Sequence, residues 1–367
     1  MCCDRRAGSL LILAVERGVL DDVLGNEICS HGLPFGTVVF DWGRTPSYLV
    51  FWRVATLASS LEHAERSLYA NRWLDFGKEF AAMKFEDQVV LVTGASRGLG
   101  KAFAECIARA GATVAVNSTG RDEAGPLTVE EIVASGGRAF HVPGRVEDAT
   151  DLIEATLKQS GHLDAVVHNA GFVQDKSLRK MSLEQWDAVL DVHLRSAFGL
   201  SRAAWPSFEE RGGGRLVFVS SSAGLYGNFG QANYAAAKMG VYGLCRTIAI
   251  EGKKANIHCN CVAPFGATEM NSGNMPDEFK AAIKTEYVAP LIGYLAHPEC
   301  QETGGMFEAS GGAYKKLRWE RSEGLRLDTT KPLTIGDIAS GWDQVVDFST
   351  SEHPEDMREA LSGLYSG

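Results

Sequence analysis

Residues 88–312 predict an α/β domain, a doubly wound parallel sheet of about seven strands with helices on both faces. Two observations carry this. Short, nearly continuous apolar runs recur at 89–92, 113–116, 139–142, 165–168, 216–220, 257–262 and 305–308. Stretches with helical spacing separate them, at 98–110, 129–135, 150–159, 183–210 and 234–252. Strands that are apolar on both sides need cover on both sides, and intervening helices let successive strands run parallel.

The first strand runs into Thr93-Gly94-Ala95-Ser96-Arg97-Gly98-Leu99-Gly100, which opens the first helix. Glycines at this spacing permit a tight turn and close backbone approach. The helix start then presents unpaired N–H groups to a pyrophosphate. A glycine-rich turn common to any α/β protein is the plain alternative. The lysine and hydroxyl of a mononucleotide phosphate loop are missing, which disfavours nucleotide hydrolysis. The fourth strand ends in His168-Asn169-Ala170-Gly171. Ligands in such sheets bind beyond the carboxyl ends of the strands, so Asn169, Ala170 and Gly171 are expected beside a bound ribose and its base.

The fifth strand leads to Ser220-Ser221-Ser222, and the helix after it carries Tyr234 and Lys238. Positions four apart share a helix face, so phenol and ammonium are expected over one site. Tyrosine normally titrates near pH ~10, and a nearby cation is expected to lower that value towards a working general base. Ser221, thirteen residues before Tyr234, is the hydroxyl placed to hold a carbonyl or alcohol oxygen. Tyr-x-x-x-Lys alone is common on helices, and surface decoration is its bland reading. The sixth strand contains Cys259-x-Cys261, whose side chains are expected on opposite faces. Residues 264–275, rich in small residues, are expected to form a mobile loop.

Of the 367 residues, 45% are hydrophobic and 22% charged, as in ordinary globular chains. A net charge of −10 with no compensating basic block argues against nucleic acid as a partner. The eight cysteines form no Cys-x-x-Cys pair and no metal-ligand spacing, so free thiols and no metal are expected. No stretch reaches the ~18–20 apolar residues of a membrane span. The apolar run 10–15 follows Arg5 and Arg6, but charges follow it at once, so a secretory signal is not expected. Residues 1–82, with Trp42, Trp52 and Trp73, read as an N-terminal extension of uncertain structure, and Met83 as a natural start. The domain is expected over 83–314. In 315–367, Ile335, Ile338, Trp342, Val345 and Val346 share one face behind a Thr334-x-x-Asp337 capping signal, as in a docking helix or linker.

The ordered set of glycine turn, Asn-Ala-Gly, Ser221 and Tyr234-x-x-x-Lys238 resembles the short-chain dehydrogenase/reductase superfamily. A closer resemblance is carried by the run from Ser221 to Tyr234, by Glu286-Tyr287-Val288-Ala289-Pro290-Leu291, by Thr303-Gly304-Gly305-Met306-Phe307-Glu308 and by Leu317-Arg318-Trp319-Glu320-Arg321. These are similar to the (3R)-hydroxyacyl-CoA dehydrogenase unit of the peroxisomal multifunctional enzyme type 2 family. The resemblance implies a Rossmann-like fold, and hydride transfer between NAD or NADP and C3 of a 3-hydroxyacyl-CoA or 3-oxoacyl-CoA. Tyr234 would be the acid/base, Lys238 would hold the nicotinamide ribose, and Ser221 would steady the substrate oxygen. Gly94, Ser96, Arg97, Gly98, Leu99, Gly100, Ser118, Asn169, Ala170, Gly171, Pro264, Gly266 and Thr268 would bind the dinucleotide with Tyr234 and Lys238. The family also implies a homodimer, through the small residues of the Tyr234 helix, and a peroxisomal location, although the chain ends without a Ser-Lys-Leu tripeptide.

Three positions depart from the superfamily pattern. His193 stands where many members have a catalytic asparagine, either as a proton relay or as a packed helix residue. Ser118 replaces the acidic residue that bonds the adenosine 2′-hydroxyl in NAD enzymes. Gly144 and Arg145 replace an expected aspartate near the adenine. With Arg97 and Arg121, the last two departures favour NADP, where family resemblance favours NAD. Lys176, Arg179, Lys180 and Arg195 are candidate partners for CoA phosphates. The alternatives are an NADPH-dependent 3-oxoacyl-carrier-protein reductase and a non-catalytic dinucleotide-binding scaffold.

Overall fold

A computed structural model describes residues 83–268, 273 and 275–365, and the backbone of two short strands before them. Those strands, Leu11–Val15 and Gly36–Phe40, pair antiparallel. Contacts divide the chain into two units, Met1–Ala82 and Met83–Gly367. Trp42, Trp52 and Trp73 lie outside the described residues.

The second unit alternates strand and helix in the expected order: β1 (Val89–Val92), α1 (Gly98–Arg109), β2 (Thr113–Ser118), α2 (Ala124–Ala134), β3 (Arg138–Pro143), α3 (Ala149–Ser160) and β4 (Ala165–His168). There follow α4 (Leu183–Leu190), α5 (Ser196–Glu210), β5 (Gly214–Val219), α6 (Ser222–Tyr226), α7 (Ala232–Glu251) and β6 (Ile257–Pro264). The unit continues with α8 (Asp277–Ala282), α9 (Ala289–Ala296), β7 (Met306–Ser310) and β8 (Ala313–Leu317).

The sheet order is β8-β7-β6-β5-β4-β1-β2-β3, parallel throughout except for β8. The chain winds outward from β1 to β3, then returns to β4 on the other side of β1. The carboxyl ends of β1 and β4 therefore flank the switch in strand order, where a crevice opens. Alternation along β1 explains the two cores. Val90 and Val92 pack with Phe103, Ile107, Ile292 and Leu295 on one face, whereas Val89 and Leu91 pack with Leu152, Leu200, Phe208 and Ile248 on the other. Each such side chain, fully buried, contributes roughly 1.5–3 kcal/mol.

Several elements differ from expectation. The sheet has eight strands, because Gly311 and Gly312, at φ +54° and +79°, make the two-residue turn of a hairpin. The expected helix 183–210 is interrupted: Ser182 and Gln185 form a capping box for α4, and a π-helical turn, Asp191–Arg195, separates α4 from α5. Helix α2 begins five residues early, because Pro126 is tolerated in a first turn. Cys259 and Cys261 do not point to opposite faces. Both are fully buried in the same core, since residues two apart on a strand share a face.

Beyond β8, short strands β9 (Arg321–Ser322) and β10 (Ser351–Glu352) pair antiparallel around α10 (Ile335–Ser340) and α11 (Trp342–Val345), and α12 (Met357–Tyr365) follows. Thr334 and Asp337 form the expected capping box. Gly341 breaks the anticipated helix, and its apolar face stays open: Ile335, Ile338, Trp342 and Val346 are all exposed. The tail is tied to α7 instead by Trp319, whose ring lies 6.3 Å from Tyr242, and by an Arg246 bond to the Glu355 carbonyl.

Candidate active site

Every residue expected to bind the dinucleotide, together with Ser221 and His193, lines one cleft of about 1300 Å³ at the carboxyl ends of the strands. Its floor at β1 and α1 is backbone packed too closely for side chains. A Cβ on Gly94, where φ is +62°, would come within 2.8 Å of the Ala170 Cα, and one on Gly100 would collide with the Gly94 carbonyl. The Asn169 side-chain amide donates to the Thr93 and Gly94 carbonyls at 3.1 and 3.2 Å. The Thr93 hydroxyl in turn accepts from the backbone of Asn169 and Ala170, both at 3.0 Å. The β1 and β4 ends are thus bolted together. Gly98, Leu99 and Gly100 begin α1, so its unpaired N–H groups face the cleft, and Arg97 at the cap uses no side-chain bond to close it.

The adenosine end is built differently from expectation. Ser118 lines the cleft but is 6% exposed, with its hydroxyl 2.9 Å from His141 Nε2. Asn117, which had no assigned role, donates to the carbonyls of Val142 and Gly144 at 3.0 and 3.1 Å and so joins the ends of β2 and β3. The Ser96 carbonyl accepts from Thr128 at 3.2 Å, fixing the glycine turn against α2.

Ser221, Tyr234 and Lys238 meet where β5 and α7 converge. Ser221 leaves β5 in extended conformation and caps α6, accepting from the Ala223 N–H at 3.2 Å. Ser220 points the other way and donates to the Lys238 carbonyl at 2.8 Å. Lys238 is fully buried on α7, with Nζ donating to the Val219 carbonyl at 2.5 Å and standing 5.6 Å from the Tyr234 ring centre. Burial pushes the Lys238 pKa down to about 7. Tyr234 is mostly buried, and burial raises its pKa; the Ser221 hydroxyl opposes the shift and Asp175 adds to it. The expectation that Lys238 depresses the phenol is therefore corrected. The ammonium gives one N–H to a backbone carbonyl, and burial makes it readily deprotonated, so desolvation governs both groups.

His193 lies in the π-helical turn, 2% exposed, its ring edge-on to Tyr234 with centres 5.1 Å apart. Its Nε2 lies 2.8 Å from the Phe172 carbonyl, and Nδ1 has no partner among the described residues. Burial and the Lys238 charge hold it well below the usual imidazole range, so it is neutral. A Cβ on Gly171 would collide with the His193 ring, so the Asn-Ala-Gly glycine is needed for close packing. Within its motif, His168 carries no separate sequence signal. It is buried and neutral, its pKa lowered to about 3 by desolvation, and it links Thr93 at 3.0 Å to Ser196 at 3.0 Å. Asn233 was likewise missed. Fully buried, it donates to the Gln174 and Gln185 carbonyls at 3.3 and 3.0 Å, which ties α7 to the opposite wall. Its place beside Tyr234 was the only signal.

Pro264, Gly266 and Thr268 line the cleft, and Thr268 lies over Gly98. Residues 269–272 and 274 of this loop lie outside the described residues. None of Lys176, Arg179, Lys180 and Arg195 lines the cleft, and Arg195 pairs with Asp191 at 3.2 Å.

Residues 88–278 match the short chain dehydrogenase family. The chain belongs to that family. Short-chain dehydrogenases use NAD or NADP, and the cradle between Gly94, Gly100 and Ala170 fits a dinucleotide backbone that no side chain obstructs. The mouse peroxisomal multifunctional enzyme type 2 is 42% identical over 291 residues, covering 77% of this chain and 40% of that protein. Full-length peroxisomal multifunctional enzyme type 2 of Drosophila melanogaster superposes with a TM-score of 0.68 at 36% identity, over 77% of this chain and 49% of that one. A Mycobacterium avium short chain dehydrogenase superposes at 0.65 with 32% identity, over 71% and 96%. This short-chain dehydrogenase therefore spans less than half the length of its mouse and fly relatives. Among its described residues no helix is long and apolar enough to cross a membrane.

Proposed function

We propose that this short-chain dehydrogenase interconverts (3R)-3-hydroxyacyl-CoA and 3-oxoacyl-CoA, in fatty-acid oxidation of the peroxisomal type. The observation that carries this is the run from Ser221 to Tyr234. It resembles the multifunctional enzyme family rather than a generic reductase, and Ser221, Tyr226, Asn228, Gln231 and Tyr234 from it all line the cleft. The similarity to the mouse and fly multifunctional enzymes supports the same reading.

When bound, the nicotinamide supplies or accepts the hydride at C3. The Ser221 hydroxyl holds the C3 oxygen. Tyr234, protonated at neutral pH and held so more firmly by burial, is poised as the acid that protonates that oxygen during reduction. In the oxidation direction the same group must first lose its proton, so that direction needs higher pH. Lys238 would hold the nicotinamide ribose, its Nζ anchored by the Val219 carbonyl. His193 is a positioning residue: it fixes the Tyr234 ring by edge contact and the 169–172 turn through Phe172. The small-residue side of α7 supports a homodimer, and the relatives' names support a peroxisomal setting.

A spectrophotometric assay at the nicotinamide band, crossing (3R)- and (3S)-hydroxyacyl-CoA, tests the proposal. Turnover of the (3R) thioester alone is expected. Preference for the (3S) substrate, or for a carrier-protein thioester over the CoA one, would overturn it.

A further inference from the structure

The adenosine end of the cleft carries a carboxylate that the end of β2 lacks. Ser118 is committed to packing. Its hydroxyl meets His141, and a Cβ on Gly125 would come within 2.5 Å of both groups, so the start of α2 closes over the pair. The chain then turns through Gly120, at φ +72°, and delivers Asp122, four residues after Ser118, to the cleft wall. Asp122 is held from two sides. Its Oδ1 accepts from the Ala124 N–H at 3.2 Å, and its Oδ2 meets Arg97 Nη2, from the glycine turn, at 2.6 Å.

We propose that Asp122, held by Arg97, reads the adenosine 2′ position and selects NAD over NADP. A carboxylate accepts from a ribose hydroxyl and repels a 2′-phosphate. Arg97 already gives an Nη2 N–H to Asp122, so a phosphate drawn to Arg97 would have to lie beside that carboxylate. Of the other cations lining the wall, Arg145 is paired with Glu147, and Arg121 stands next to Asp122 in the chain. The function of the missing acidic residue has thus moved from Ser118 to Asp122. The inference rests on the dinucleotide reading of the cleft and is independent of the thioester.

Binding of NADH and NADPH, which differ only in the 2′-phosphate, is measured by nicotinamide fluorescence with no thioester present. The wild-type chain is expected to bind NADH more tightly by about tenfold or more, the worth of one charge-assisted hydrogen bond. Asp122→Asn is expected to tighten NADPH and weaken NADH, shifting their ratio by at least that factor. Arg97→Gln keeps the carboxylate, so it is expected to leave NADH the preferred ligand; circular dichroism checks that both variants fold. Tighter wild-type binding of NADPH, or an unchanged ratio in Asp122→Asn, would overturn the proposal. Binding of neither dinucleotide would overturn the reading of the cleft as well.

Discussion

Tyr234 and Lys238 share a helix face, yet their protonation is governed by burial more than by each other. With the Tyr234 pKa raised, hydroxyacyl oxidation is expected to climb with pH from neutrality upward, while reduction, which uses the protonated phenol, stays level. Initial rates in both directions across this range check it; equal profiles would contradict a tyrosine acid/base. Tyr234→Phe is expected to lower kcat by about 10²–10⁴-fold with NADH binding retained. Lys238 gives a stability signature. The unfolded lysine keeps its proton to about pH 10.5, whereas the folded one loses it above about 7. Between those values the unfolded chain binds the extra proton, so stability rises with pH by at most about 1.4 kcal/mol per unit. Lys238→Met should remove that slope and match or exceed wild-type stability near pH 7, while turnover falls. Denaturant unfolding at about pH 7.5 and about pH 9 compares the slopes, and identical slopes would mean that the buried lysine stays charged.

Turns and helix starts decide how the elements deliver these groups. The glycine turn between β1 and α1 works because its backbone touches backbone. Gly100→Ala places a methyl against the Gly94 carbonyl, which cannot yield without unseating α1. Dinucleotide binding is expected to fall more than about tenfold, as for a lost charge-assisted hydrogen bond, while the far-UV spectrum is preserved. Unchanged NADH affinity would show that the turn can widen. The π-helical turn is the other decisive device. By inserting a register shift between α4 and α5 it carries His193 beneath Tyr234, and such shifts are frequent at functional sites. Helical periodicity over 183–210 gave no warning of it, because a one-residue shift preserves the apolar spacing on each side. The Gly311-Gly312 pair is a legible turn signal, but Lys315 and Lys316 give the strand after it the composition of a charged linker. They suit an exposed edge strand.

On the scale of the whole unit, the cleft depends on an anchor at the opposite ends of the strands. Asp164 accepts from the Val89 N–H at 2.7 Å and from Arg211 Nε at 2.8 Å, joining β1, β4 and α5 far from the chemistry. Asp164→Ala leaves a buried N–H and a guanidinium without that partner, and is expected to destabilise the fold by roughly 2–3 kcal/mol. Urea unfolding measures it; kcat/KM at low temperature should hold, and a parallel loss of activity would place Asp164 in the site. Sequence alone determined the alternating pattern, the glycine turn and the Ser221, Tyr234 and Lys238 set, because each depends on local spacing: the period of a strand or helix, or a backbone position only glycine fits. Tertiary structure alone decided what those spacings could not carry. Burial sets the charge of Tyr234 and Lys238, and His141 takes the Ser118 hydroxyl out of use. Asp122 reaches Arg97 from a segment twenty-five residues away. Desolvation and pairing between distant segments arise only once the sheet has brought them together.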